Sequence, residues 1–305
     1  MIRAGNELMK LVREKLGMTQ AQMGEQLHMT QRTVSRIETG VRELGVWEYF
    51  SLMEMAGTPT EDLLPLILES NELKDYNTYK ELKRLLRDWQ LSEIRDILPE
   101  FEKGLTSKQL FIVQFVEFVK IFVDKEMPHE EAIEKLYEIL RMSIKEFESC
   151  AIPKYRLNYN EIHIIFGIAM KLELVSKIDC AISLYKSVVE SRDNALATDE
   201  DKAVLFPALM HNLSNVLGKL GRYEESLRYC EIARESCISL KNYRLIPNIL
   251  YNMACCCRLM GEEEQIYQTY FIRAYHSAHA MGNKIIADIT KKEAEKFGIF
   301  NLCSF

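Results

Sequence analysis

Two stretches forty residues apart carry one pattern. HNLSNVLGKLGRYEES from His211 and YNMACCCRLMGEEEQI from Tyr251 set Asn212 over Asn252 and Gly221 over Gly261. A third copy, SKIDCAISLY from Ser176, precedes GRYEESLRYC from Gly221 by 45 residues, and a weaker one is the PHEEAIEKLY run from Pro128. A helix pair of this length cannot bury its apolar face alone, so successive copies must stack, each covering its neighbour. The chain from about residue 72 onward is therefore an α-solenoid of about five helix pairs, closed by a helix around Lys284 to Lys296.

The rest is helical as well. Only 7 prolines and 13 glycines interrupt the chain, and no stretch alternates with the period of two that a strand needs. Residues 1–66 form a compact first unit of five helices. Leu8, Leu11, Val12 and Leu16 line the first helix, which Gly17 ends. Thr19 opens the second with a capping box to Gln22, and Met23 and Leu27 face inward. The third spans TQRTVSRIETG from Thr30 to Gly40, with Trp47, Phe50 and Leu52 on a fourth and Leu63 to Leu68 on a fifth. SNELKDYN, from Ser70, reads as a polar joint within a linker at 67–75, and the repeat domain occupies 76–305.

The third helix has two unlike faces. Val34 and Ile37 lie three apart on one side, while Gln31, Arg32, Ser35, Arg36 and Thr39 occupy the other. Thr30 is a good N-cap and Gly40 a good left-handed stop. A helix, a tight turn and a second helix with Gln and Arg at its start can enter the major groove of DNA. There Arg pairs with guanine and Gln with adenine in bidentate fashion.

Charge agrees with this location. The whole chain carries a formal net charge of −6, so nucleic acid must be met by a local patch. Residues 1–42 hold seven Lys and Arg against four Glu, whereas 43–66 hold five acids and no base.

Other classes find little support. MIRAGNELMK lacks the apolar run of a signal peptide. LFIVQFVEFVKIFV is broken by Gln114, Glu117 and Lys120, short of the roughly 18 apolar residues of a membrane span. The protein is expected in the cytoplasm, away from membranes. Eight cysteines (150, 180, 230, 237, 255, 256, 257 and 303) include no CxxC pair and read as packing thiols. His276 and His279 lack further ligands for a metal. No nucleophile elbow, P-loop or carboxylate dyad is present, so no enzyme, metal or cofactor is expected.

LVREKLGMTQAQMGEQLHMTQRTVSRIETG resembles the phage-repressor helix-turn-helix over its whole length. The resemblance implies that Gln20, Gln31, Arg32, Ser35 and Arg36 face DNA, with Thr30 near a phosphate. It also implies that Arg13 pairs with Glu38 as a tie between the first and third helices. His28 stands where the turn usually carries Gly, and Gly24 where Ala is usual, at a cost of about 1 kcal/mol in helix propensity.

The repeats resemble tetratricopeptide repeats, with Asn212, Leu213, Leu217, Gly221, Tyr223 and Ser226 at signature positions. That resemblance implies a right-handed solenoid whose first helices line a groove for an extended peptide. The groove residues would be His211, Asn212, Asn215 and Lys219 from one repeat, and Asn248, Tyr251, Asn252, Cys255 and Arg258 from the next. An Asn amide suits the task because it offers a donor and an acceptor to one peptide unit.

A repressor-type helix-turn-helix fused to about five such pairs is similar to the RRNPP family. The resemblance implies a cytoplasmic, homodimeric transcription regulator of a Gram-positive bacterium, bound to a palindromic operator and switched by a short signalling peptide. Two alternatives stay open: a DNA-binding regulator whose solenoid docks a protein, and a peptide-regulated adaptor without a DNA role.

Overall fold

The computed structural model describes residues 4–45, 48–49, 51–52, 55, 70–106 and 108–299. Trp47, Phe50, the expected helix over Leu63 to Leu68, and Cys303 lie outside the described residues. Two compact units divide the chain, Met1–Ile112 and Val113–Phe305. Helices make up both, and no strand occurs among the described residues; an isolated parallel bridge joins Asn158 to Leu196.

The first unit opens with α1 (Ala4–Lys15), α2 (Gln20–Gln26) and α3 (Gln31–Glu38). Their core is built from Leu8, Met9, Val12, Met23, Val34, Ile37 and Leu52. Leu11, expected inside, is 50% exposed, and Met9 is fully buried in its stead. The apolar stripe of α1 thus runs through 8, 9 and 12, rotated by part of a turn from the expected one. The capping box on α2 forms as expected: Thr19 Oγ1 accepts from Gln22 N at 3.2 Å, and Gln22 Oε1 accepts from Thr19 N at 2.8 Å. Gly17 and Gly40 both take left-handed φ values, 64° and 72°.

The same unit contains α4 (Ser70–Arg87) and α5 (Leu91–Gly104). SNELKDYN is therefore the start of a helix and not a joint. Its polar residues misled because one of them is consumed internally. Asp75 is 1% exposed and accepts from Thr106 N at 3.0 Å and from Thr106 Oγ1 at 2.9 Å.

From residue 110 follow α6 (Leu110–Val123), α7 (His129–Arg141), α8 (Tyr159–Leu174), α9 (Ile178–Glu190), α10 (Asp199–Lys219), α11 (Tyr223–Ser239), α12 (Ile246–Met260), α13 (Glu264–Ala280) and α14 (Lys284–Lys296). α6 to α13 follow one another as four helix pairs with α14 as a closing helix, and α4 and α5 form a further pair within the first unit. The apolar run LFIVQFVEFVKIFV is a core helix. Phe115, Val116, Phe118 and Val119 are each at most 1% exposed, and no described helix is long and apolar enough to cross a membrane. The turns share one geometry. Ser176, Gly221 and Gly261 sit at φ 61°, 75° and 78° between the two helices of their pairs.

Contacts between first helices of successive pairs differ along the array. A Cβ at Gly167 of α8 would stand 3.1 Å from Phe118 and 3.6 Å from Phe122, so that junction is apolar and close. The junction between α10 and α12 is polar, as described next.

Candidate DNA-facing helix and ligand groove

The α2–α3 turn is set by backbone geometry. His28 takes φ 53°, the left-handed state expected of it. Gly24 has a reason the sequence did not reveal. A Cβ there would lie 2.6 Å from the Met29 carbonyl oxygen. The glycine is what lets α2 approach the start of α3, so its low helix propensity is outweighed by packing.

A partly buried polar tie fixes α3 to α1. Arg13 Nε donates to Glu38 Oε1 at 2.6 Å, Arg13 Nη2 donates to Oε2 at 3.3 Å, and Arg13 Nη1 reaches Met18 O at 3.1 Å. The expected pair is present. Burial alone would raise the Glu38 carboxyl, but the Arg13 guanidinium and the Gln20 amide outweigh it and hold it below the usual range. The partner guanidinium is shifted upward by its bond to Glu38.

With Val34 and Ile37 at 0% exposure beneath it, the opposite face of α3 looks outward. Gln31, Arg32 and Arg36 are exposed and Ser35 is half-buried. Thr30 is exposed at the N-cap, where its hydroxyl accepts from Thr33 N at 3.2 Å. Gln20 is placed differently from this set. Its Nε2 donates to Glu38 Oε2 at 2.8 Å, which ties it into the internal pair.

The ligand candidates divide into two groups. His211, Asn215 and Asn252 converge across α10 and α12, joined by Ser214, which the sequence reading missed although it lies on the same helix face. Asn252 Nδ2 approaches Ser214 Oγ at 3.1 Å, His211 Nδ1 at 3.3 Å, and also Asn215 Oδ1. Asn215 Nδ2 lies 3.3 Å from His211 Nε2, and Ser214 Oγ donates to His211 O at 2.7 Å. Burial of the ring pushes His211 down to about 4, so it is neutral at pH 7. Asn212 and Asn248 are half-buried on the same two helices, and Lys219 is exposed at the end of α10.

The second group turns away. The Tyr251 ring packs edge-on against Phe271 at 6.2 Å, and Cys255 joins the same cluster. The Arg258 guanidinium lies over Tyr267 at 5.5 Å and over Phe297 at 5.3 Å. These three side chains pack α12 against α13 and against Phe297 just after α14, and among the described residues no contact joins them to the His211 cluster.

Cys230, Cys237, Cys256 and Cys257 are buried, as packing thiols should be, whereas Cys150 and Cys180 are exposed. Burial raises the thiols of Cys230 and Cys237 to about 12 and about 11.

A helix-turn-helix family model matches residues 9–61, and the model of the RNPP family C-terminal domain matches residues 73–297. The chain belongs to the RNPP family. Solved structures share the architecture of this RNPP-family chain at low identity. PlcR of Bacillus thuringiensis, crystallised with the peptide PapR7 and DNA, is 19% identical with a TM-score of 0.77, over 95% of this chain and 99% of that one. ComR of S. thermophilus, in complex with DNA and its signalling peptide ComS, is 16% identical with a TM-score of 0.64, over 96% and 99%. The SHP pheromone receptor Rgg2 of Streptococcus dysgalactiae is 12% identical with a TM-score of 0.58, over 95% and 98%. Curated protein sequences contain no significant match.

Proposed function

We propose that this protein is a sequence-specific DNA-binding transcription regulator whose repeat domain binds a short signalling peptide in the cytoplasm. The observation that carries the DNA half is the exposed row Gln31, Arg32 and Arg36 on a helix whose back is fully buried. Such a row, at the start of a recognition helix, reaches base edges in the major groove. Thr30 takes a phosphate-side position, Ser35 completes the surface, and Gln20, whose amide is engaged by Glu38, lies at its edge. In a homodimer two such helices would read half-sites of a palindrome about 34 Å apart. The helix-turn-helix domain is taken as 1–66 and the ligand and dimer domain as 76–305; α4 already begins at Ser70, so the 70–75 part of the expected linker is helix.

The polar cluster on α10 and α12 supports the peptide half. His211, Asn215 and Asn252 present donors and acceptors where α10 meets α12, and Asn212, Asn248 and Lys219 lie on the same two helices. An extended main chain can pair with such groups. PlcR and ComR were crystallised with both DNA and a peptide, which fits the same pairing of roles here.

A gel shift with the DNA upstream of the protein's own gene tests the DNA half. Arg32→Ala should weaken specific binding by about 1–3 kcal/mol while leaving peptide binding intact. Equal affinity of both proteins for that site would remove Arg32 from the interface.

A further inference from the structure

The cluster between α10 and α12 contains more amide donors than it can use. Neutral imidazole offers one acceptor nitrogen and one N–H. Here an amide NH₂ faces each ring nitrogen, Asn215 at Nε2 and Asn252 at Nδ1. Whichever nitrogen carries the proton, one of the two contacts sets N–H against N–H. Turning both amides over only moves the conflict, because whichever ring nitrogen is bare then faces an amide oxygen, and turning Asn252 alone sets its oxygen against that of Asn215. Turning Asn215 alone sets its NH₂ against that of Asn252, which lies within bonding distance. The favourable part of the network is the bond from Asn252 to Asn215 together with that from Asn252 to Ser214. It joins two consecutive pairs where the α6–α8 junction uses aromatic packing around Gly167.

We propose that these residues form a clasp that closes the α10–α12 junction in the ligand-free protein, and that a peptide main chain opens it. The inference rests on the peptide-binding reading above. A ligand carbonyl accepts from the amide hydrogen that the clasp leaves mismatched, and a ligand N–H replaces Asn252 at Asn215 Oδ1. Both asparagines exchange a strained internal arrangement for a satisfied one. Occupancy of the groove is thereby coupled to the separation of the last two helix pairs.

Ser214 gives the cleanest test, because it is 1% exposed and its hydroxyl braces Asn252 from behind the groove. In Ser214→Ala the clasp is weaker and the ligand groups are intact. Backbone amides of α12–α14 should exchange with deuterium about two- to tenfold faster than in the wild type, with those of α8 and α9 unchanged. Asn252→Ala should give the same regional pattern. Exchange that is unaltered, or faster by the same factor in α8 and α9, overturns the clasp.

The ligand arm uses a heptapeptide selected from a random library on the wild-type protein. Ser214→Ala should bind it severalfold tighter, since less internal contact is displaced. Weaker or equal binding shows a plain structural role and overturns the proposal. Failure of every library peptide to bind would sink the peptide-binding reading and with it the opening step, whereas the exchange arm judges the closed clasp alone.

Discussion

At the scale of single residues, the DNA-binding unit depends on two local devices. The first is the Arg13–Glu38 pair, whose side chains are 17% and 7% exposed. Removing one partner strands the other in a poorly solvated place, so Glu38→Gln should cost about 2–3 kcal/mol by chemical denaturation. Acid should erase the difference. The Glu38 carboxyl sits below its usual value, so its contribution is present at neutral pH and is lost as pH falls through that lowered value. Wild type and Glu38→Gln should therefore converge as acid carries the pH through that lowered value; a gap that stays constant through the whole acid titration would contradict the assignment. The second device is Gly24. On propensity alone Gly24→Ala would stabilise α2 by about 1 kcal/mol. The Met29 carbonyl in its path reverses the sign, and a thermal melt should show Gly24→Ala less stable than wild type.

At the scale of helices and turns, legibility followed the strength of the local signal. The capping residues, the left-handed glycines, His28 in its turn and the five helix pairs were all readable, because each rests on a short-range rule. The start of α4 was not. A polar string such as SNELKDYN looks like a linker until the partner of Asp75, thirty-one residues away at Thr106, is known. The packing of Tyr251 and Arg258 was hidden for a related reason. Spacing places them on the first helix of a pair, but only the position of Phe271, Tyr267 and Phe297 decides which side they serve. Ser214 was overlooked because a buried serine has no periodic signature. The shared turn geometry yields a paired prediction. Ser176 and Gly221 hold equivalent left-handed positions at φ 61° and 75°. Ser176→Gly should stabilise by about 0.5–1 kcal/mol and Gly221→Ala destabilise by about 1 kcal/mol, read as opposite shifts in denaturation midpoint. Shifts of the same sign would show that the two turns are not under the same constraint.

At the scale of the whole molecule, the chain carries an exposed helix-turn-helix and a repeat array whose α10–α12 junction is polar. Two linked heads bind a palindrome more tightly than one by a factor set by their spacing, on the order of 10²–10⁴. A ligand that alters the repeats can remove or restore that factor without touching any base contact. The direct measurement is fluorescence anisotropy of labelled DNA carrying either both half-sites or one, titrated with the protein with and without the library-selected heptapeptide. Peptide should change affinity for the two-half-site DNA by on the order of 10²–10⁴ and leave single half-site binding nearly unchanged. An equal change on both DNAs, or none on either, would contradict control through the spacing of the two heads.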